Sequence, residues 1–324
     1  MNVAQQLDAL QQRHPALSFP IGVLYKFIDD QGVYLAALIT YYGFVALFPL
    51  LYLLSTVLGF VLAGNPELQQ QITESALSHF PVIGDDLNEP ARIGGGPLGL
   101  VIGVLGSLYG GLGVALAFQN AMNTAWSVPR HLRPNPIVAR GQGLLLLGTV
   151  GLGILATASI SGVGVLASIG GLPRILILFA TLVANSILFV IAFKLTTARK
   201  LTVAEVAPGA IAAATLWQLL QSFGAIYVAK VVQSASAVNG VFAIVLGLLA
   251  FLFLAAAVVV WSVEINVVRV DRLYPRALLA PFTDNVDLAV GDKRAFRDFA
   301  QAQRAHLQQD IHVTFDDREE KEPD

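Results

Sequence analysis

The residues able to do chemistry are few and far apart. Of 22 aspartates and glutamates, only Glu264 falls at the edge of a long apolar stretch, in Trp261-Ser-Val-Glu-Ile-Asn266. An ionisable group beside a hydrocarbon layer is costly and needs a reason. One reading pairs the Glu264 carboxylate with Arg199, Lys200 or Arg269, fixing one helix against its neighbours. The other makes it, with Asn266, a gate or proton-linked group of a transport path. Its late position, short of any midplane, favours the first. Thr40, Tyr41 and Tyr42 stand early in another apolar stretch, which Pro49 interrupts midway. A proline there frees a carbonyl and kinks a helix, as a packing device or the lining of a path. Gln119, Asn120 and Asn123 close a further stretch, Asn185 sits in the middle of another, and Gln218 and Gln221 share a helical face. Interhelical hydrogen bonds would account for each. For Asn185 the depth makes an unpaired amide expensive, so a cavity-lining role competes with that reading.

Other chemistry is poorly supplied. There is no cysteine, which removes disulfides, thiolate nucleophiles and thiolate metal sites together. Histidines at 14, 79, 131, 306 and 312 lie outside the apolar stretches, without metal-ligand spacing. Gly94-Gly95-Gly96 and Gly110-Gly111-x-Gly113 lack the strand and the Lys-Ser/Thr of a phosphate loop. Asp85-Asp86 reads as a solvated pair of carboxylates. The expectation is therefore no enzyme, no cofactor and no bound metal.

The elements that must hold these residues follow from composition. The chain is 55% apolar and 13% charged over 324 residues, with a mean hydropathy of +0.67. Soluble domains carry about 25% charge, so the apolar excess needs a non-aqueous setting. Six segments are long enough to cross a hydrocarbon core of about 20 helical residues: Leu35–Leu62, Pro97–Phe118, Gly141–Leu166, Pro173–Phe193, Val206–Val228 and Val238–Ser262. Backbone groups in lipid must bond internally, so these are helices. The expected fold is an all-α integral membrane protein, a six-transmembrane-helix bundle over residues 35–270. Residues 1–34 precede it, and 271–324 form a polar tail.

Charge asymmetry orients the bundle. With the N-terminus in the cytoplasm, 11 basic residues fall inside (Arg13, Lys26, Arg130, Arg133, Arg140, Lys194, Arg199, Lys200, Arg269, Arg272 and Arg276) and 3 outside (Arg92, Arg174 and Lys230). Both ends are then cytoplasmic and the chain is multi-pass in the inner membrane. Phe19–Val33 places Ile21, Leu24, Phe27 and Ile28 on one face, an amphipathic helix on the inner leaflet with Lys26, Asp29 and Asp30 elsewhere. In the first outer loop Leu68, Ile72, Ala76 and Phe80 recur every four residues, which predicts a short capping helix. Ala167–Leu172 predicts a tight helical hairpin. Gly99-x-x-x-Gly103, Gly106-x-x-x-Gly110, Gly148, Gly151 and Gly153 allow close helix approach, within one chain more often than between copies, so a homo-oligomer stays open. The tail from Pro281 holds 11 acidic and 6 basic residues and reads as solvated.

Several pieces in order resemble the YihY/virulence factor BrkB membrane proteins: Leu35-Ala-Ala-Leu-Ile-Thr-Tyr-Tyr-Gly-Phe-Val-Ala-Leu-Phe-Pro-Leu50, Gln119-Asn-Ala-Met-Asn-Thr-Ala-Trp-Ser-Val-Pro-Arg130, Pro208-Gly-Ala with Leu216-Trp-Gln218, and Val263-Glu-Ile-Asn266. The resemblance covers about Phe19 to Leu278. It implies a six-helix inner-membrane protein with cytoplasmic ends. It also brings an older label, ribonuclease BN, for which this sequence offers no catalytic carboxylate or histidine constellation. Some relatives are proposed to move lipids or lipid precursors. Two stretches depart from the family pattern: Ser234-Ala-Ser-Ala-Val-Asn-Gly240, where aromatics are common, and Ser262-Val263, where Gly-Ala is common. The expected function is a transporter or flippase of an amphiphilic, lipid-like substrate. The alternative is a non-transporting membrane scaffold or envelope-assembly factor. Membrane lipids are the expected partners, and nucleic acid is not.

Overall fold

The computed structural model describes residues 3–61, 96–166, 172–234, 237–283 and 286–315. Among them the regular elements are all helices, with no strand. Two short helices open it, α1 (Val3–Arg13) and α2 (Pro15–Asp29). Six long ones follow: α3 (Gly32–Val61), α4 (Gly96–Ala125), α5 (Pro136–Leu166), α6 (Leu172–Thr196), α7 (Val203–Ser234) and α8 (Ala237–Val270). A last helix, α9 (Val290–Ala302), lies in the tail. The capping helix expected in the first outer loop and most of the 167–172 break fall outside the described residues.

Each long helix contains or closely tracks one apolar segment and most run further at their ends, where polar side chains carry the helix beyond the hydrophobic stretch. Among the described residues three stretches are long and apolar enough to cross a membrane: Ile175–Thr196, Val203–Gly224 and Val245–Val270. On α6, Ile175, Phe179, Val183 and Ile187 form a stripe of exposed apolar side chains, one per turn. Such a stripe is unfavourable in water and natural against lipid.

The α3–α4 pair is the most extensive helix contact, and glycine makes it so. A Cβ on Gly110 would lie 2.5 Å from the Ala46 Cα, one on Gly106 2.8 Å from the Pro49 ring, and one on Gly113 2.1 Å from the Tyr42 ring. Residues 49, 46 and 42 thus descend α3 as 106, 110 and 113 climb α4, an antiparallel register without room for a side chain on α4. Of the two roles expected for Pro49, a packing device or the lining of a path, the contact with Gly106 is of the first kind.

The largest apolar core lies at one end of the bundle. Val23 and Phe27 of α2 meet Met122 of α4 and Trp126 just after it, Phe193 of α6, Val206 of α7, Val263 and Val267 of α8, and Ala295 of α9. This end also gathers the polar connections. The α2 helix turns into α3 through Gln31 at φ 55°, and a Cβ on Gly32 would strike the Phe27 ring at 2.3 Å. The expected apolar face of α2 divides, Phe27 packing inward and Leu24 and Ile28 staying on the surface. Lys26 and Asp30 are buried as well. The charges turn inward because the protein itself supplies their partners. The tail is likewise not simply solvated, since α9 buries Gly291, Asp292 and Ala295.

Candidate functional site

Two groups of polar residues emerge, one at the polar end and one in mid-bundle. At the polar end, Lys26 and Asp30 form a buried ion pair one helical turn apart. Burial would push the Lys26 ammonium down, but the neighbouring carboxylates of Glu264 and Asp30 more than offset this and hold it raised. Burial pushes the Asp30 carboxyl up against the pull of Lys26. Glu264, 0% exposed, faces this pair, and neither of its oxygens accepts a hydrogen bond among the described residues. The expected pairing of Glu264 with Arg199, Lys200 or Arg269 is thus not what the structure shows. Arg199 is taken by Asp271, with two parallel contacts of 2.9 Å. Arg269 donates to the Ala204 carbonyl. The α2 helix packs against α8 and puts Lys26 and Asp30 beside Glu264 instead.

Next to it, Arg276 is 1% exposed and bridges Asp29 at 2.8 Å and Asp292 at 2.5 Å. The other Asp292 oxygen accepts from the backbone N–H groups of Ala277 (2.8 Å) and Ala289 (2.9 Å), so one carboxylate starts α9 and ties it to the tail turn. The first helices join in. Gln11 donates to the Arg276 carbonyl, Asp8 accepts from the Leu278 N–H at 2.9 Å, and the Tyr25 hydroxyl donates to the Leu278 carbonyl at 2.7 Å. The result is a clasp that fastens α1 and α2 to the turn after α8 and to the start of α9.

Asn266 belongs to the same end. Its side-chain oxygen accepts from the Gly209 N–H at 2.7 Å, and its amide donates to the Val206 carbonyl at 3.0 Å. Pro208, one residue before Gly209, has no N–H to offer the α7 ladder. The Ala204 carbonyl four residues back is the one Arg269 takes. Close approach completes the joint, as a Cβ on Gly209 would lie 2.0 Å from the Ser262 carbonyl oxygen. Asn120 accepts from Arg133 at 3.2 Å at the surface. Asn123 accepts from the Ala198 N–H at 2.8 Å, tying α4 to the end of α6.

In mid-bundle the six long helices surround a cavity of about 370 Å³. Thr40 of α3, Val114 and Phe118 of α4, Val150 and Thr157 of α5, Asn185 of α6, Trp217 and Gln221 of α7, and Leu252 and Val259 of α8 contribute to its wall. The lining is mostly apolar with a few amides and hydroxyls, the usual make-up of a small-molecule site. The Thr40 hydroxyl is satisfied by the Ala36 carbonyl at 2.8 Å. The Asn185 amide is 8% exposed and has no hydrogen-bond partner among the described residues.

The candidates from sequence therefore divide. Thr40 and Asn185 come together at the cavity, with Gln221 rather than Gln218 as the nearby amide of α7. Tyr41 is 58% exposed and points away from it, and Tyr42 packs on α4. Pro49 is a packing contact, and Asn120, Glu264 and Asn266 lie at the polar end. Sequence reasoning missed the inward turn of Lys26 and Asp30, and the Arg276–Asp292 pair. Their signals were weak: an i,i+4 charge pair, and an aspartate placed to cap α9.

Residues 23–284 match the family model described as Virulence factor BrkB. All four motif pieces quoted above fall within that range, and two of them, Pro208-Gly-Ala and Val263-Glu-Ile-Asn266, meet in space at the Asn266–Gly209 joint. Comparisons with curated proteins and with solved structures give no match.

Proposed function

This chain belongs to the virulence factor BrkB family, and from that premise we propose that it is a six-span inner-membrane transporter or flippase of an amphiphilic, lipid-like substrate. The observation that carries the reading is the cavity enclosed by all six long helices, with the unpartnered Asn185 amide on its wall. An amide buried without a partner costs about 1–3 kcal/mol, which a bound polar group or water would offset. An apolar wall with a sparse polar set suits a substrate that is mostly hydrocarbon with a small head group. The clasped end, rich in basic residues, is the cytoplasmic face in this reading, with both termini there. The chain works without a cofactor and is not an enzyme.

The test is reconstitution. Full-length protein in liposomes should translocate a fluorescent short-chain phospholipid faster than protein-free liposomes, with or without an imposed ion gradient. No movement of any labelled lipid or precursor under any gradient would sink the proposal. The scaffold alternative draws on the polar end, where Arg276 ties α2 and α9 together through Asp29 and Asp292. It is favoured if the protein co-purifies with a stable envelope complex and transports nothing.

A further inference from the structure

A second, polar cleft of about 330 Å³ opens at the clasped end, outside the cavity and its path. Its walls are Trp126 and Ser127 after α4, Arg199 after α6, Asp271 after α8, and Arg294, Arg297, Asp298 and Gln301 of α9. Four separate parts of the chain thus bring three guanidinium groups and two carboxylates to one opening.

The pairing within it is incomplete in both senses. The Arg199 guanidinium stacks 4.9 Å from the Trp126 ring and spends only two donors on Asp271, of the five such a group has. Arg294 gives one donor to the Arg272 carbonyl at 3.0 Å. Arg297 lies over the Phe315 ring at 5.9 Å and has no ion pair among the described residues. Donors for an anion are therefore left over. Asp298 accepts no hydrogen bond among the described residues either. Burial, and then the nearby Asp271 charge, push its carboxyl up, while Lys26, Arg199 and Arg297 pull the other way without pairing to it. Here an acceptor is left over.

A plain anion would satisfy the arginines and worsen the position of Asp298. A plain cation would do the reverse. The geometry points to a zwitterionic ligand, a phosphate ester carrying a protonated amine, with its phosphate held by Arg199, Arg294 and Arg297 and its ammonium donating to Asp298. Tetrahedral phosphate offers oxygens on several sides to guanidiniums arriving from separate elements, which a planar carboxylate does not. The ligand is either a small amino-phosphate from solution or the head group of an aminophospholipid. This site goes beyond the transport reading and stands whether or not the cavity is a path.

The test is calorimetric titration of the full chain in detergent with O-phosphoethanolamine, glycerol 3-phosphate and phosphocholine, alongside lipid analysis of protein held in nanodiscs. O-phosphoethanolamine should bind at least tenfold more tightly than glycerol 3-phosphate, or than phosphocholine, whose quaternary nitrogen has no N–H to donate. Arg297→Gln should weaken all three. Asp298→Asn should abolish the preference for the amine while leaving glycerol 3-phosphate bound as tightly or more so, which a merely misfolded variant would not do. If the free ligand binds, the source is soluble. If only phosphatidylethanolamine is retained through delipidation, and is lost in Arg297→Gln, the source is the bilayer. Equal affinity for O-phosphoethanolamine and glycerol 3-phosphate, or no binding in either arm, overturns the assignment.

Discussion

The clasped end and the mid-bundle cavity both bury polar groups, but they treat them differently. At the clasp polar groups from distant parts of the chain meet one another, Arg276 with Asp29 and Asp292, Asn266 with Gly209 and Val206, Lys26 with Asp30, while both Glu264 oxygens, the Gln11 oxygen and one Arg276 nitrogen stay unpaired among the described residues. In the cavity the Asn185 amide is left without a protein partner. Fully paired polar networks rigidify a structure, and an incomplete one costs stability unless something else completes it. The contrast is one of neighbours: the clasp's ion pairs and amides join separate elements of the chain, whereas the Asn185 amide faces a cavity that only a ligand or water can fill.

That division can be broken by substitution. The largest loss is expected for Arg276→Met, which leaves Asp292 buried without its cation. Removing one partner of a buried pair costs about 3–5 kcal/mol, read as a lowered unfolding temperature in detergent and as protease release of the tail. Asn266→Ala comes next. It strands the Gly209 N–H and the Val206 carbonyl, at about 1–3 kcal/mol for such unsatisfied groups, and thermal unfolding should show it. Gly110→Ala should cost about 1–3 kcal/mol by forcing α3 from α4, since the added Cβ meets backbone at 2.5 Å. A cross-link between cysteines introduced on α3 and α4 should form more slowly in that variant.

The smallest effect belongs to Asp298. Its carboxyl is raised by burial and by Asp271, so the folded state prefers the proton. The stability this gives is present below the ordinary carboxylate range and is lost as pH rises through the raised value. Asp298→Asn should flatten that slope and raise stability near neutral pH by less than about 1 kcal/mol, given its partial exposure to solvent. An unchanged pH profile of unfolding would show that the Asp298 carboxyl carries no such strain.

The helices were legible because a long apolar run has few alternatives in lipid. Their ends were less so, as hydropathy detects the apolar stretch and not the polar turns by which α4, α7 and α8 reach into the clasp. The partners of the α2 charges were hidden for a related reason. Periodicity sets Lys26 and Asp30 off the apolar face but cannot say that they meet Glu264. Glu264 could not be paired from sequence, because two of its three expected partners are engaged elsewhere, Arg199 by Asp271 and Arg269 by the Ala204 carbonyl, which a helix-by-helix reading does not reveal. The depth of Asn185 was readable from its place in the span. The cavity it lines was not, since that depends on how six helices pack together.

The central claim, that the cavity and not the clasp carries the substrate, is tested most directly by one measurement. This is the rate of phospholipid translocation by Asn185→Leu in proteoliposomes, matched to wild type for folded, reconstituted protein. The substitution removes the unpartnered Asn185 amide without breaking any protein hydrogen bond, so stability should hold while translocation falls to the level of protein-free vesicles. A variant that translocates at the wild-type rate would contradict the account.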